Sequence, residues 1–367
     1  VEKKGFIEEF ALFVSLSVSM IGVGIFYAPS IVAKYIGPGG WISALITGVE
    51  IFIILLCIYK VIKLNKFKDI TFILTGTYGR FLGKIISLIY SLLILIVLSL
   101  SLRTFSEVIT MYLLRNTPTE VIIITFIFTG MYLSRGGLAN VVHFNEIVFW
   151  LMFVPIGIML LLTLPAADFS NLLPIGGYPV KDYIMSSFEI LFLFNGFSMA
   201  FILIPYVKKR KAIKSIMFTS SIFVTVFYII IFILVSATLS YVQTADSIFP
   251  TITMLQSISS NSGILEKWDS LVMALWVIFY FTSFANIYYF ASSILKDVFS
   301  LEDIRTSSMI YVPIVYLAAM LPENIINVRN TKYNYLRVGF IAIILIIIGG
   351  TLVISLVKNR RRSVSEK

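Results

Sequence analysis

Two glycine-containing interruptions in otherwise apolar sequence carry the strongest chemical signal in this chain. They are Ile21-Gly22-Val23-Gly24-Ile25, followed by Pro29, and Phe194-Asn195-Gly196-Phe197, followed by Pro205. A membrane-crossing helix that breaks midway leaves backbone N–H and C=O groups without helical partners. Helix N-termini then face a carboxylate and freed carbonyls face an ammonium, so such a pair suits a small zwitterion. A close helix contact is the plainer reading of either glycine site alone. Two interruptions five spans apart favour the functional reading, because inverted five-helix repeats put their discontinuous helices in corresponding positions.

Charge at membrane depth is the second signal, since it is costly there. The ionisable residues within apolar stretches are Glu50, Arg103, Glu107, Glu146 and Glu189, with His143 near a span end. Arg103 and Glu107 stand four apart and share a helix face, so they can neutralise each other, either as a structural bridge or within a gate or polar path. Glu50, Glu146 and Glu189 have no opposite charge at helical spacing. Each must be protonated, paired across helices or open to water, which makes them candidates for a proton or water route. His143, beside an inner loop, reads as interfacial rather than as a switch.

The elements that position these residues must be membrane helices. Of 367 residues, 59% are hydrophobic and only 13% charged, with a mean hydropathy of +0.97, outside the range of soluble domains. Val338–Val357 and Ser215–Tyr241 contain no charge and reach the ~20 residues that span a bilayer. Continuous apolar runs exclude a barrel, whose strands alternate, and leave the α-helix. Turn residues and charge clusters divide the chain into ten expected spans: Phe10–Tyr35, Trp41–Ile62, Leu82–Leu114, Glu120–Ser134, Ala139–Leu164, Tyr183–Val207, Ser215–Tyr241, Trp268–Leu295, Ser307–Leu321 and Tyr335–Val357. The expectation is an all-α integral membrane protein with a single transmembrane domain over residues 1–367. Its inverted 5+5 repeats would cover about 10–164 and about 183–357.

Most of the 29 basic residues fall on one side if the N-terminus is inside, among them Lys60, Lys63, Lys66, Lys68, Arg80, Lys84, Lys208, Lys209, Arg210, Lys211, Lys214, Lys358 and Arg360. Both termini are therefore expected in the cytoplasm. The net charge of +10 is explained by anionic membrane lipid, without nucleic acid. The apolar run after Val1–Phe10 shows no cleavage signature and reads as a retained first helix. Cys57 is the single cysteine, so intrachain disulfides and thiolate metal clusters are excluded. P-loop, HExxH and GxSxG motifs are absent from the sequence, and neither catalysis, a metal nor a cofactor is expected.

Several stretches in this order and spacing resemble the B subunit of GerA-type spore germinant receptors, a branch of the amino acid–polyamine–organocation transporter superfamily. They are Ile21-Gly22-Val23-Gly24-Ile25 with Pro29, Leu102-Arg103-Thr104-Phe105-Ser106-Glu107 with Asn116-Thr117-Pro118, and Arg135-Gly136-Gly137-Leu138 leading to Phe144-Asn145-Glu146-Ile147. Further on come Asp168-Phe169-Ser170-Asn171-Leu172-Leu173-Pro174, Phe249-Pro250-Thr251, and Leu265-Glu266-Lys267-Trp268-Asp269 with Trp276. The resemblance implies a ten-helix leucine-transporter-type fold working beside A and C subunits in the spore inner membrane, with a germinant, often an amino acid, in a transporter-like pocket. Carried over, that pocket takes Gly22, Val23 and Gly24 from the first helix and Phe194, Asn195 and Gly196 from the sixth. Ser99, Ser101, Tyr280 and Ser283 are placed in its walls by depth along the third and eighth helices. The alternative is a stand-alone H⁺- or Na⁺-coupled amino acid transporter, which would use the same fold and pocket.

Overall fold

The computed structural model describes residues 5–262, 268–323, 328 and 336–365. Its elements in chain order are α1 Glu9–Met20, α2 Ala28–Ile36, α3 Gly40–Leu64, α4 Ile70–Tyr78, α5 Arg80–Tyr112, α6 Thr119–Arg135, α7 Gly137–Thr163, α8 Val180–Leu193, α9 Ala200–Leu203, α10 Ile213–Asp246, α11 Pro250–Ser262, α12 Trp268–Phe299, α13 Ile304–Met320, α14 Arg337–Ile344 and α15 Thr351–Ser365. A π-helical stretch, Leu345–Gly350, joins the last two.

The ten expected spans do not become ten helices of membrane length. Among the described residues six helical stretches are long and apolar enough to cross a bilayer: Ala28–Leu64, Arg80–Tyr112, Gly137–Ala166, Arg210–Asp246, Met273–Phe299 and Arg337–Arg360. The bent pair Val180–Leu193 and Gly196–Tyr206 adds a seventh if it is one span. The physical reason is that hydropathy averages across a break. The expected span Phe10–Tyr35 is cut into helices of 12 and 9 residues. Glu120–Ser134 and Ser307–Leu321 give helices of 17 residues each, short of the ~20 that a bilayer asks for. The start of the last expected span, Tyr335, lies outside the described residues. The architecture is thus all-α and multi-pass, with six or seven membrane-length helices among the described residues rather than ten.

α1 is the central strut. It packs against α7, α10, α12 and the Asn195–Met199 segment, and Leu12, Val14, Leu16, Val18 and Met20 are each fully buried. A helix apolar on all sides belongs inside a bundle. Its serines Ser15, Ser17 and Ser19 are buried too; small side chains there let neighbouring backbones approach. The chain start is strapped to the far end of the sixth-span region. Phe6 and Ile7 N–H both donate to Tyr206 O, at 2.9 and 3.0 Å, and Lys208 N–H donates to Ile7 O at 3.0 Å. Ion pairs Lys208–Glu8 at 2.9 Å and Lys209–Glu9 at 3.1 Å flank this strap.

Candidate functional site

α1 ends where Ile21 and Gly22 turn extended, at φ −99°, ψ 99° and φ −110°, ψ −162°. The chain then makes a 3₁₀ turn, Val23–Phe26, before α2 resumes with Pro29 in its first turn. The opening N–H groups of such a turn have no partner within it. They sit at the middle of the bundle, among buried Val23, Gly24 and Ile25.

The second interruption answers the first. α8 stops at Phe194, a 3₁₀ segment Asn195–Met199 follows, and the two halves bend by 51°. Its glycine is there for space. A Cβ at Gly196 would overlap the Ser19 carbonyl and lie 2.8 Å from Met20 N, so the backbones of the two broken helices touch. Gly24 has a similar restriction, its Cβ falling 2.9 Å from Leu193 Cβ. Gly22 differs: a Cβ there meets only Ser283 Oγ, at 3.9 Å. Its φ is one any residue adopts, so what Gly22 preserves is open volume rather than a special backbone angle.

That volume is a small cavity of about 30 Å³, lined by Ser19, Gly22, Val23, Gly24, Tyr27 and Ser101 among others. Leu98, Leu193, Tyr280, Ser283, Phe284 and Ile287 complete it, and no charged side chain takes part. It is roomy enough for about one or two water molecules. Aromatic rings of α5 and α12 pack beside the cavity. Phe105 stacks on Tyr280 with centroids 4.0 Å apart, and Phe26 meets Trp276 at 4.8 Å. Among the described residues, buried Tyr280 Oη and Trp276 Nε1 have no hydrogen-bond partner. An orphaned buried polar group costs about 1–3 kcal/mol, which a bound polar molecule would relieve.

The structure brings Gly22, Val23, Gly24, Ser101, Tyr280 and Ser283 together around this cavity. Ser99 is fully buried elsewhere on α5, its hydroxyl donating to Leu95 O at 2.7 Å. Phe194 packs on Tyr228 with centroids 4.3 Å apart, and Gly196 meets α1 rather than the cavity. The side chain of Asn195 lies outside the described residues. Sequence reasoning missed Ser19, Tyr27, Leu98, Leu193, Phe284 and Ile287. Helical spacing carried a signal for some of them, since 280, 283, 284 and 287 share one face.

A polar cluster borders the cavity wall at Ser19 and Ser283. Ser283 Oγ donates to Ser19 O at 3.3 Å. Asn145 Nδ2 donates to Ser15 Oγ at 3.0 Å and to Asn286 Oδ1 at 2.9 Å, which ties α7 to α1 and α12.

The membrane-depth charges sit in separate places, Glu50 beside a neutral serine and the others in ion pairs. Glu189 accepts from Tyr35 Oη at 3.2 Å and is ion-paired with Arg337, a partner across helices that the sequence did not disclose. This node joins α2, α8 and the start of α14. Glu50 accepts from Ser187 Oγ at 3.0 Å while its Oε2 is buried without a partner among the described residues. Glu146 is paired with the exposed His143 at 3.1 Å. Arg103 and Glu107 pair at 2.9 Å, with Arg103 Nη1 also against Met320 Sδ at 3.5 Å. None of these side chains lines the cavity. Because the Arg103 side chain is only 9% exposed, Glu107→Gln is expected to destabilise the protein, by no more than about 3 kcal/mol given the wetter carboxylate. Thermal melting in detergent checks this, and the double replacement Arg103→Met with Glu107→Met should recover part of the loss.

The spore germination protein family, Spore_permease, matches residues 6–328. Spore germination protein A2 of Bacillus subtilis (strain 168) is 28% identical over 330 residues, covering 89% of this chain and 90% of its own length. Among solved structures, MhsT in complex with L-phenylalanine aligns with a TM-score of 0.71 at 11% identity, over 95% of this chain and 90% of that one. A Na⁺-coupled sialic acid symporter in its substrate-bound outward-open state aligns with a TM-score of 0.67 at 12% identity, over 96% of this chain and 78% of that one. At such identities the likeness shows the fold, which is that of the leucine-transporter type. That relative is named as a spore germination protein. With a family match over most of its length, two broken helices meeting at a central cavity and a transporter fold around them, the chain belongs to the spore germination protein family.

Proposed function

We propose that this protein is the germinant-sensing membrane subunit of a spore germinant receptor and that its germinant is a small amino acid. The observation that carries the reading is the cavity at the first helix break, uncharged, bounded by backbone and holding the orphaned Tyr280 hydroxyl. The N–H groups opening the Val23–Phe26 turn receive the carboxylate. The carbonyl end of α1 near Ser19, with Ser101 and Ser283, receives the ammonium. Leu98, Leu193, Phe284 and Ile287 face the side chain, which suits an apolar residue. Since the cavity is smaller than any amino acid, binding must draw on a wider state of the same site, and the ligand acts by favouring that state.

Gly196, Asn195 and Phe194 serve this site as the contact through which the sixth-span region follows α1. The Tyr35–Glu189–Arg337 node and the Arg103–Glu107 pair are placed to hold the surrounding helices in one arrangement; Glu50 and Glu146 belong to the same polar set. Interruptions in the two halves, 10–164 and 183–357, are the corresponding elements of an inverted repeat. A and C subunits would convert the shift into germination at the spore inner membrane. The one-sided distribution of basic residues supports termini on the cytoplasmic side.

The test exploits Gly22, where a side chain has room. Gly22→Ala should leave protein level unchanged and raise the half-maximal germinant concentration by about tenfold or more, and Gly22→Val should abolish the response, since small misfits in a closed site are worth about 10–200-fold. A normal response from well-expressed variants removes the germinant from this cavity. The fold likeness to a Na⁺-coupled sialic acid symporter favours one other reading, a stand-alone transporter. Amino acid flux into vesicles containing only this chain would establish it.

A further inference from the structure

A second cavity, of about 290 Å³, opens at the surface between α4 and α15, on the side where the basic loops gather. Lys66, Lys68 and Lys358 line it, and among the described residues no carboxylate does. The neighbouring cavity across α4 has Arg80, Lys84 and Lys296 but also Asp69 and Asp297, so its charge is largely offset.

The three lysines are held by the fold. Lys66 and Phe67 turn left-handed just beyond α3, at φ 57° and 55°, a conformation that costs energy in residues other than glycine. Arg210 lies 4.1 Å over the Phe67 ring and fixes that turn. Lys68 Nζ rests 4.0 Å over the Phe72 ring, and Lys358 Nζ donates to Gly76 O at 2.7 Å. Asn65 and Thr77 also line the cavity, with Asn65 Nδ2 donating to Val61 O at 2.9 Å and Ser355 Oγ at 3.0 Å and Thr77 Oγ1 donating to Ile73 O at 2.8 Å, so the lysines supply the charge for an anion.

Phe72, which lines this cationic hollow, is 59% exposed, and the following helix α5 begins with exposed Phe81, at 77%, and Leu82. Clustered ammonium groups call for a phosphate. Exposed rings at the rim call for acyl chains, the combination found where proteins meet anionic bilayers.

We propose that the cavity between α4 and α15 binds the phosphate headgroup of an anionic glycerophospholipid, with its acyl chains along Phe72 and Phe81. The bound lipid bridges the end of α3, the α4 hairpin and the last helix, beside the polar bonds Asn65–Ser355 and Lys358–Gly76 O that already join them. Its headgroup chemistry is shared with free phosphate esters, and the apolar rim is the reason to assign a lipid.

The full-length protein purified in detergent provides the test, by native mass spectrometry with phosphatidylglycerol, phosphatidylcholine and glycerol 1-phosphate as probes. The wild type should retain phosphatidylglycerol at least about tenfold better than phosphatidylcholine, given that each surface lysine favours anionic lipid several-fold. The Lys66→Gln, Lys68→Gln, Lys358→Gln variant should bring the two lipids to parity. The variant Arg135→Gln, Lys211→Gln, Lys214→Gln removes equal charge elsewhere and should keep the preference. Photoactivatable phosphatidylglycerol should label wild-type peptides covering 65–84 and 351–365, a readout independent of how the variants fold. Equal loss in both variants, no preference in the wild type, or labelling elsewhere overturns the site. Binding of glycerol 1-phosphate as tight as that of the lipid overturns the lipid assignment.

Discussion

Gly196→Ala is expected to be the most damaging single-methyl change in this protein. The added carbon would occupy the space of the Ser19 carbonyl, and backbone, unlike a side chain, has no alternative rotamer to adopt. The Asn195–Met199 segment would have to withdraw from α1, which is packed on α7, α10 and α12 and has nowhere to go. Overpacking of a tight core costs about 1–3 kcal/mol where side chains can give way, and more where they cannot. The expected result is little or no folded protein in the membrane. Gly157→Ala is the matched control: nothing lies within 4 Å of a Cβ at that position in α7, and alanine is the better helix former by about 1 kcal/mol. Membrane levels and melting temperatures of the two variants should therefore move in opposite directions.

Removal of Arg337 should be nearly as costly. Glu189 is buried, its side chain 7% exposed, and holds two partners from different helices, Tyr35 and Arg337. Arg337→Gln leaves the carboxylate with a single phenol donor, and an uncompensated buried charge of this kind costs about 3–5 kcal/mol. Glu189→Gln in the same background removes the charge that needed compensation, so the double variant should be more stable than Arg337→Gln alone. A double-mutant cycle on melting temperature measures the coupling. Additive single effects would mean that the pair contributes nothing as a pair.

The broken helices were legible because glycine and proline mark backbone events directly. Gly22, Gly24 and Gly196 all lie where the backbone departs from regular helix or approaches another backbone. Their separate reasons were not legible, since only neighbours in space distinguish the open volume at Gly22 from the carbonyl contact at Gly196. Ser99 and Ser101 show what depth alone leaves out: two residues apart on one helix they point about 200° apart, and only Ser101 reaches the cavity. The partner of Glu189 stands on a distant segment, so no spacing rule could find Arg337. Asn286 went unremarked, and Asn145 entered only as part of the stretch Phe144–Ile147, because a search for membrane charge passes over neutral amides, although buried amides need partners as well. The ten-span reading failed for a related reason, for a window of hydropathy cannot tell a 12-residue helix, a break and a 9-residue helix from one continuous span.

The account stands or falls on whether a germinant occupies the cavity at the helix 1 break. The most direct measurement is equilibrium binding of radiolabelled amino acids to the full-length protein in detergent, wild type beside Gly22→Val, with both confirmed folded by thermal melting. Saturable binding of a small apolar amino acid by the wild type, lost in Gly22→Val at unchanged melting temperature, is the predicted result. Equal binding by the two proteins would contradict the account.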